Sequence, residues 1–229
     1  MGGPRLWAFL LLATLLGAES PEALLATVDR LRHPWPSFSV EVEVKDAKAS
    51  QRWRVLTREN GDARVEGLSE KEKGRTVLML GEQMYLLLPN AKKPVKVTPQ
   101  QRLLGPAAGG DIARSRFAED YRVAASAEEE VDGRACVRLE LEARRPSLSY
   151  RKALLWVTPR GEPVKAEFLL LSGKLAKRAR FDPPVQTVGL AVLPGMTLED
   201  PGGAVARVRF SGWSQGKHDP SLFTLPEVK

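Results

Sequence analysis

The stretch Arg75-Thr76-Val77-Leu78-Met79-Leu80-Gly81-Glu82-Gln83-Met84-Tyr85-Leu86-Leu87-Leu88-Pro89 decides the fold. Gly81-Glu82 splits it into two apolar runs of strand length, the pattern of a tight β-hairpin. A two-residue turn sets Met79 opposite Met84, Val77 opposite Leu86 and Arg75 opposite Leu88, and leaves Leu78 and Tyr85 on the other face. Both faces are then largely apolar, whereas an antiparallel sheet usually wets one of them. Something must cover each side: ordinary core, or a cavity that receives an apolar ligand. A basic turn at Lys92 and Lys93 leads on to Val95 and Val97.

Strand signals continue on both sides of this hairpin. Phe38, Val40, Val42 and Val44 alternate with polar residues, as do Val137, Leu139 and Leu141, and Val164, Ala166, Phe168 and Leu170. Asn60-Gly61, Asp132-Gly133, Ser172-Gly173 and Asp200-Pro201-Gly202-Gly203 supply turns between runs. Pro194-Gly195 interrupts the run from Leu190 to Leu198 and predicts an edge or a bulge there. About eleven short strands follow from this spacing, a density that suits a sandwich, a barrel or a strongly curved sheet. With no repeat and no low-complexity linker, residues 19–229 read as one domain.

Ser20-Pro21-Glu22 offers a cap, a first-position proline and an early acid, and Leu24, Leu25, Val28 and Leu31 follow at helical spacing until His33-Pro34. One apolar stripe means that this helix lies on a sheet. Ahead of it, Arg5, the apolar run Leu6–Leu16 and the small pair Gly17-Ala18 form a secretory leader over residues 1–18, cut near Ala18 and too short to span a bilayer comfortably. An uncleaved anchor is the alternative.

The formal net charge of +7 falls by one when Arg5 leaves with that leader. A basic exported protein can meet anionic headgroups or an acidic partner, or be charged for solubility alone. Lysines and arginines are not interleaved with aromatics in a block, which argues against nucleic acid. Cys136 is the only cysteine, so an internal disulfide is excluded. His33 and His218, the only histidines, have no partners at metal-ligand spacing, and no nucleophile elbow, phosphate loop or dinucleotide motif occurs. The run Glu128-Glu129-Glu130 reads as a solvated strand end. The expectation is a protein that is not an enzyme and takes no cofactor or metal.

The segment from Pro99 to Asp120 lacks strand alternation. Gly105-Pro106 and Gly109-Gly110 break it, and Asp111 offers a cap for a short helix carrying Ile112 and Phe117. A connection this long is either a movable cover over the apolar hairpin or an inert crossing between sheet edges.

In order and spacing the chain resembles the outer-membrane lipoprotein-sorting proteins, the LolA/LolB-like superfamily. The carrying segments are Gln83–Pro89 with its basic turn, Phe117-Ala118-Glu119-Asp120-Tyr121, Glu129–Leu141, Leu155-Trp156-Val157, and Asp219-Pro220-Ser221-Leu222-Phe223-Thr224-Leu225. The resemblance implies a mainly β fold: an open, incomplete antiparallel β-barrel of about eleven strands with helices covering its concave face. It also implies a periplasmic carrier of lipid or lipoprotein acyl chains, with transient membrane contact and an inner-membrane lipid exporter as a second partner. Some proteins of this fold instead sense stress by holding a membrane-bound regulator. The chain departs from the family where members carry an Asp-rich stretch, since Gly105–Gly110 is rich in glycine, alanine and proline.

Methionine adapts to irregular apolar guests. On that ground the face carrying Val77, Met79, Met84, Leu86 and Leu88 is expected to line the cavity, with Trp156, Phe168 and Leu170 as weaker additions; plain core is the alternative for each. The expected lid comprises Leu103, Leu104, Ile112, Arg114, Arg116 and Phe117, and the protein is expected to be a monomer.

Overall fold

The computed structural model describes residues 19–97, 116–146, 148–187 and 189–226. The helix α1 (Pro21–Arg32) starts where the sequence places it. The Ser20 hydroxyl accepts the Ala23 N–H at 3.2 Å, and Pro21 fills a first-turn position that needs no donor. Glu22 in the first turn and Arg30 and Arg32 in the last complement the helix dipole. Leu24, Leu25, Val28 and Leu31 form its buried stripe.

From the middle of the sheet, β1 (Phe38–Lys45), β2 (Ser50–Thr57), β3 (Ala63–Gly67), β4 (Thr76–Leu80), β5 (Gln83–Leu87) and β6 (Val95–Val97) run outward to one edge. The chain then reaches the one-turn helix α2 (Phe117–Asp120) and the opposite edge, β7 (Tyr121–Val131). It returns through β8 (Arg134–Ala143), β9 (Lys152–Val157), β10 (Pro163–Leu169) and β11 (Leu175–Phe181). A separate two-stranded ribbon, β12 (Val185–Thr187) with β13 (Leu190–Val192), precedes β14 (Gly195–Glu199) and β15 (Val205–Gln215). β15 closes the path by pairing antiparallel with β1. The result is one 13-stranded antiparallel sheet with two free edges, β6 and β7, so it is not closed into a barrel.

Fifteen strands thus stand among the described residues, against about eleven expected. β6, β12 and β13 have three residues each, too few to show a period. From Ala124 to Glu130, β7 is exposed residue after residue, so it carries no apolar alternation to read.

The β4–β5 hairpin has the register that its turn requires: Val77 faces Leu86, Leu78 faces Tyr85 and Met79 faces Met84. Gly81 takes a φ of 53° at the turn, the left-handed region that glycine enters without steric cost. The break at Pro194-Gly195 is not a bulge within one strand, and β13 before it is an edge of the two-stranded ribbon. The break separates β13, which leaves the main sheet, from β14, which lies in its interior between β11 and β15. Gly195 is required there, because a Cβ would sit 2.4 Å from the Val208 carbonyl oxygen.

One apolar cluster lines the inner face of the sheet. It joins Met84 of β5, Val77 and Met79 of β4, Phe38 and Val42 of β1, Phe168 of β10 and Leu139 and Leu141 of β8 to Leu24, Leu25 and Val28 of α1. Strands near opposite edges share this cluster, so the sheet curls around the helix. An ion pair spans the gap: Arg145 Nη1, just past β8, lies 3.3 Å from Glu82 Oε1 in the β4–β5 turn.

Candidate functional site

Val77, Met79, Met84 and Phe168 are buried in the inner cluster, and Leu86 packs against it half-buried. Leu88 is half-buried just past β5. The other face of the hairpin has its own cover. Leu78 packs with Leu56 and Phe223, and Leu80, Tyr85, Leu87 and Leu222 surround them. The turn Pro220–Phe223 therefore roofs the outside of the hairpin.

Two expected cavity residues lie elsewhere. Trp156 faces outward with Val131 and Cys136. Its Nε1–H donates to Glu129 Oε2 at 2.6 Å, and the Lys165 ammonium sits 3.9 Å above its ring. β9 is apolar on both faces, with Leu155 and Val157 in the inner cluster, so its sequence alone cannot assign the tryptophan's side. Leu170 is exposed in the β10–β11 turn. The strand ends at Leu169, and an irregularity between Phe168 and Leu169 breaks the alternation that would have carried Leu170 inward.

Leu103, Leu104, Ile112 and Arg114 lie outside the described residues. Arg116 and Phe117 are described. Arg116 Nη1 pairs with Glu119 Oε1 at 2.8 Å. Phe117, the first residue of α2, is fully buried, its ring stacked 6.3 Å from Phe168 and tilted against Tyr121 at 6.1 Å.

Sequence reasoning missed the residues that hold this corner. The Asp29 carboxylate of α1 accepts the Phe117 N–H at 2.7 Å and the Ala118 N–H at 2.8 Å, capping α2 from another helix. The Arg32 guanidinium lies 5.5 Å over the Phe117 ring. Burial pushes the Asp29 carboxyl up to about 6, against the downward pull of those two backbone donors and Arg32. The only signal in the sequence is an acid beside the apolar stripe of α1. Asp120, buried at the end of α2, pairs with Arg145, the same arginine that reaches Glu82. A cavity of about 140 Å³ at this corner is lined mainly by polar residues, among them His33, Asn60, Glu82, Arg116, Asp120 and Arg145.

The acidic run lies on the β7 edge. Glu129 is held below the usual carboxylate range first by the Trp156 N–H and then by Arg138, so the exposed run, expected as a solvated strand end, has one carboxylate that is paired. Burial pushes the Cys136 thiol up, the opposite of an activated nucleophile. Among the described residues, no group of three or more His, Cys, Asp or Glu side chains could hold a metal ion.

The architecture defines the class: an unclosed antiparallel half-barrel wound around one helix, apolar inside, with its two edge strands joined by a single long connection. The LolA superfamily protein NE2245 from Nitrosomonas europaea has this architecture. It is 30% identical, with a TM-score of 0.82 over 90% of this chain and 98% of that one. The chain belongs to the LolA superfamily. A putative outer membrane lipoprotein-sorting protein domain from Vibrio parahaemolyticus shares the fold at 19% identity, with a TM-score of 0.69 over 86% of this chain and 94% of that one. So does a DUF1329 family protein from Desulfovibrio piger, at 16% identity and a TM-score of 0.73 over 89% and 95%. A family model described as "Uncharacterized protein" matches residues 67–227. No curated protein matches the chain significantly.

Proposed function

We propose that this protein is a periplasmic carrier, exported with its leader cut near Ala18 and folded as one domain over residues 19–229, that shelters acyl chains of lipid or lipoprotein in the hollow of its sheet. The observation that carries this reading is the inner face itself. A single apolar cluster extends from β5 to β8 across the concave side, with a 12-residue helix packed against it. Membership of the LolA superfamily supports it, and a putative outer membrane lipoprotein-sorting protein domain shares the fold.

In this reading the guest lies along the face of Val77, Met79, Met84 and Leu86, with Phe168 at the far side. Leu86, Leu88 and Val97, half-buried near the β5–β6 edge, form the rim where a chain enters. Leu103, Leu104, Ile112 and Arg114, proposed as a cover over that face, lie outside the described residues, and Arg116 and Phe117 stand where the chain returns to them. The driving force is hydrophobic: each acyl CH₂ taken from water contributes about 0.8 kcal/mol. An inner-membrane lipid exporter would load the carrier, and the outer membrane would receive its cargo. No catalytic step is needed.

Mass spectrometry of an organic extract of the gently purified protein tests the reading. Stoichiometric lipid is expected, and its loss is expected in a folded Leu86→Glu variant. Protein that carries no lipid, even after mixing with vesicles or acylated peptide, would falsify the carrier reading; equal loading of the variant would remove Leu86 from the site.

A further inference from the structure

We propose that the β10–β11 hairpin tip, Leu170-Leu171-Ser172-Gly173-Lys174, is a membrane-docking element that seats its leucines among the headgroups of an anionic bilayer. The proposal deepens the carrier reading by naming the surface that meets the membrane. Leu171 is 83% exposed and Leu170 42%. A leucine that open in water is not explained by packing.

The exposure is built into the turn. Leu170 N–H donates to the Lys174 carbonyl at 2.9 Å, Gly173 N–H donates to the Leu170 carbonyl at 2.9 Å, and Gly173 holds a φ of 76°. The hairpin also overhangs its neighbour. Leu169 pairs with Leu175 across the tip, whereas β14 already ends at Glu199 opposite Arg178. On that side the tip stands clear of the sheet.

Charge selects the occupant. Lys174 is in the tip and exposed. Lys152, also exposed, pairs in register with Leu169 on the adjoining strand, and Arg151 donates its N–H to the Leu169 carbonyl at 3.0 Å. The tip itself holds no acid; Lys152 pairs with Glu142 at 3.4 Å, and Glu167, three residues before the tip, pairs with Arg178 at 3.4 Å. Two apolar side chains beside the exposed Lys174 suit an interface where hydrocarbon begins a few ångströms below phosphate. They offer too little area for a stable protein–protein contact. The position also suits a carrier. Phe168, two residues before the tip, packs 4.9 Å from Tyr150 and 6.3 Å from Phe117, so a docked tip brings the start of α2 to the bilayer.

The test uses exported protein from the periplasmic fraction, with N-terminal sequencing to verify that no leader remains, mixed with vesicles of phosphatidylglycerol and phosphatidylethanolamine. Wild type is expected to co-sediment. Leu171→Asp, which should keep its melting temperature because the side chain is exposed, is expected to bind at least roughly tenfold more weakly. Lys174→Glu should bind about fivefold more weakly at low salt, with the difference gone at high salt. Wild type that ignores vesicles overturns the proposal. So does Leu171→Asp that binds as wild type, and a photo-crosslinker at Ser172 that then captures one protein would reassign the tip to a protein partner. The two readings separate cleanly: Leu171→Asp should retain co-purified lipid, whereas a carrier failure removes lipid from wild type and leaves vesicle binding intact.

Discussion

Asp29 and Phe117 lie 88 residues apart, yet an Asp29 carboxylate oxygen accepts the Phe117 N–H at 2.7 Å while its partner oxygen accepts that of Ala118 at 2.8 Å. One side chain of α1 thereby fixes the start of α2, where the connection between the two edge strands returns to the described fold. A four-residue helix cannot hold itself together, so this cap and the burial of Phe117 do it.

That carboxyl should make stability pH-dependent. Its value in the folded protein is about 6, above the ordinary 3.8, so the folded state binds the proton more tightly than the unfolded chain. The contribution is therefore fully present below about pH 3.8 and lost as pH rises through 6. Between pH 7.5 and pH 4.5 wild type should gain on the order of 2 kcal/mol relative to Asp29→Asn, which cannot titrate. Urea unfolding of both proteins across that range checks this; parallel curves would show that Asp29 is not the group.

Arg145 should divide its interaction energy unevenly. Its partner Asp120 is buried, whereas Glu82 is half-exposed and the guanidinium itself is more than a third exposed. Double-mutant cycles should give below about 1 kcal/mol for Arg145 with Glu82, as solvent screening dictates, and about 1–3 kcal/mol for Arg145 with Asp120. Only the Arg145–Glu82 term should fade in high salt.

Phe223 should be the main support of the outer roof. Its ring is buried against Leu78 and Leu56, and the Arg58 guanidinium lies 5.3 Å from its centroid. Phe223→Ala should cost about 3 kcal/mol, whereas Leu222→Ala, already half-buried, should cost about 1 kcal/mol. Chemical denaturation reads both. Equal small losses would mean that the tail is not what covers Leu78.

The parts of the fold that were legible rest on short-range physics. The hairpin register from Thr76 to Leu87 follows from its two-residue turn, and the bounds of α1 follow from Ser20, Pro21 and His33-Pro34. Trp156 and Leu170 lie outside the inner cluster for a reason in the same class. A strand apolar on both faces has no period to orient it, and one irregularity at Phe168 is enough to end an alternation.

By itself the sequence determined the helix, the hairpin, most of the strands, and the demand that both faces of β4 and β5 be covered. Those are properties of residues a few positions apart, where backbone sterics and period-two patterning act. Only the tertiary structure decided that β15 lies against β1, that the tail from Pro220 to Phe223 supplies the outer cover, that Asp29 caps α2, and that Leu171 is left in water. Each of these depends on which surfaces meet once the sheet curls, and no local pattern encodes that meeting.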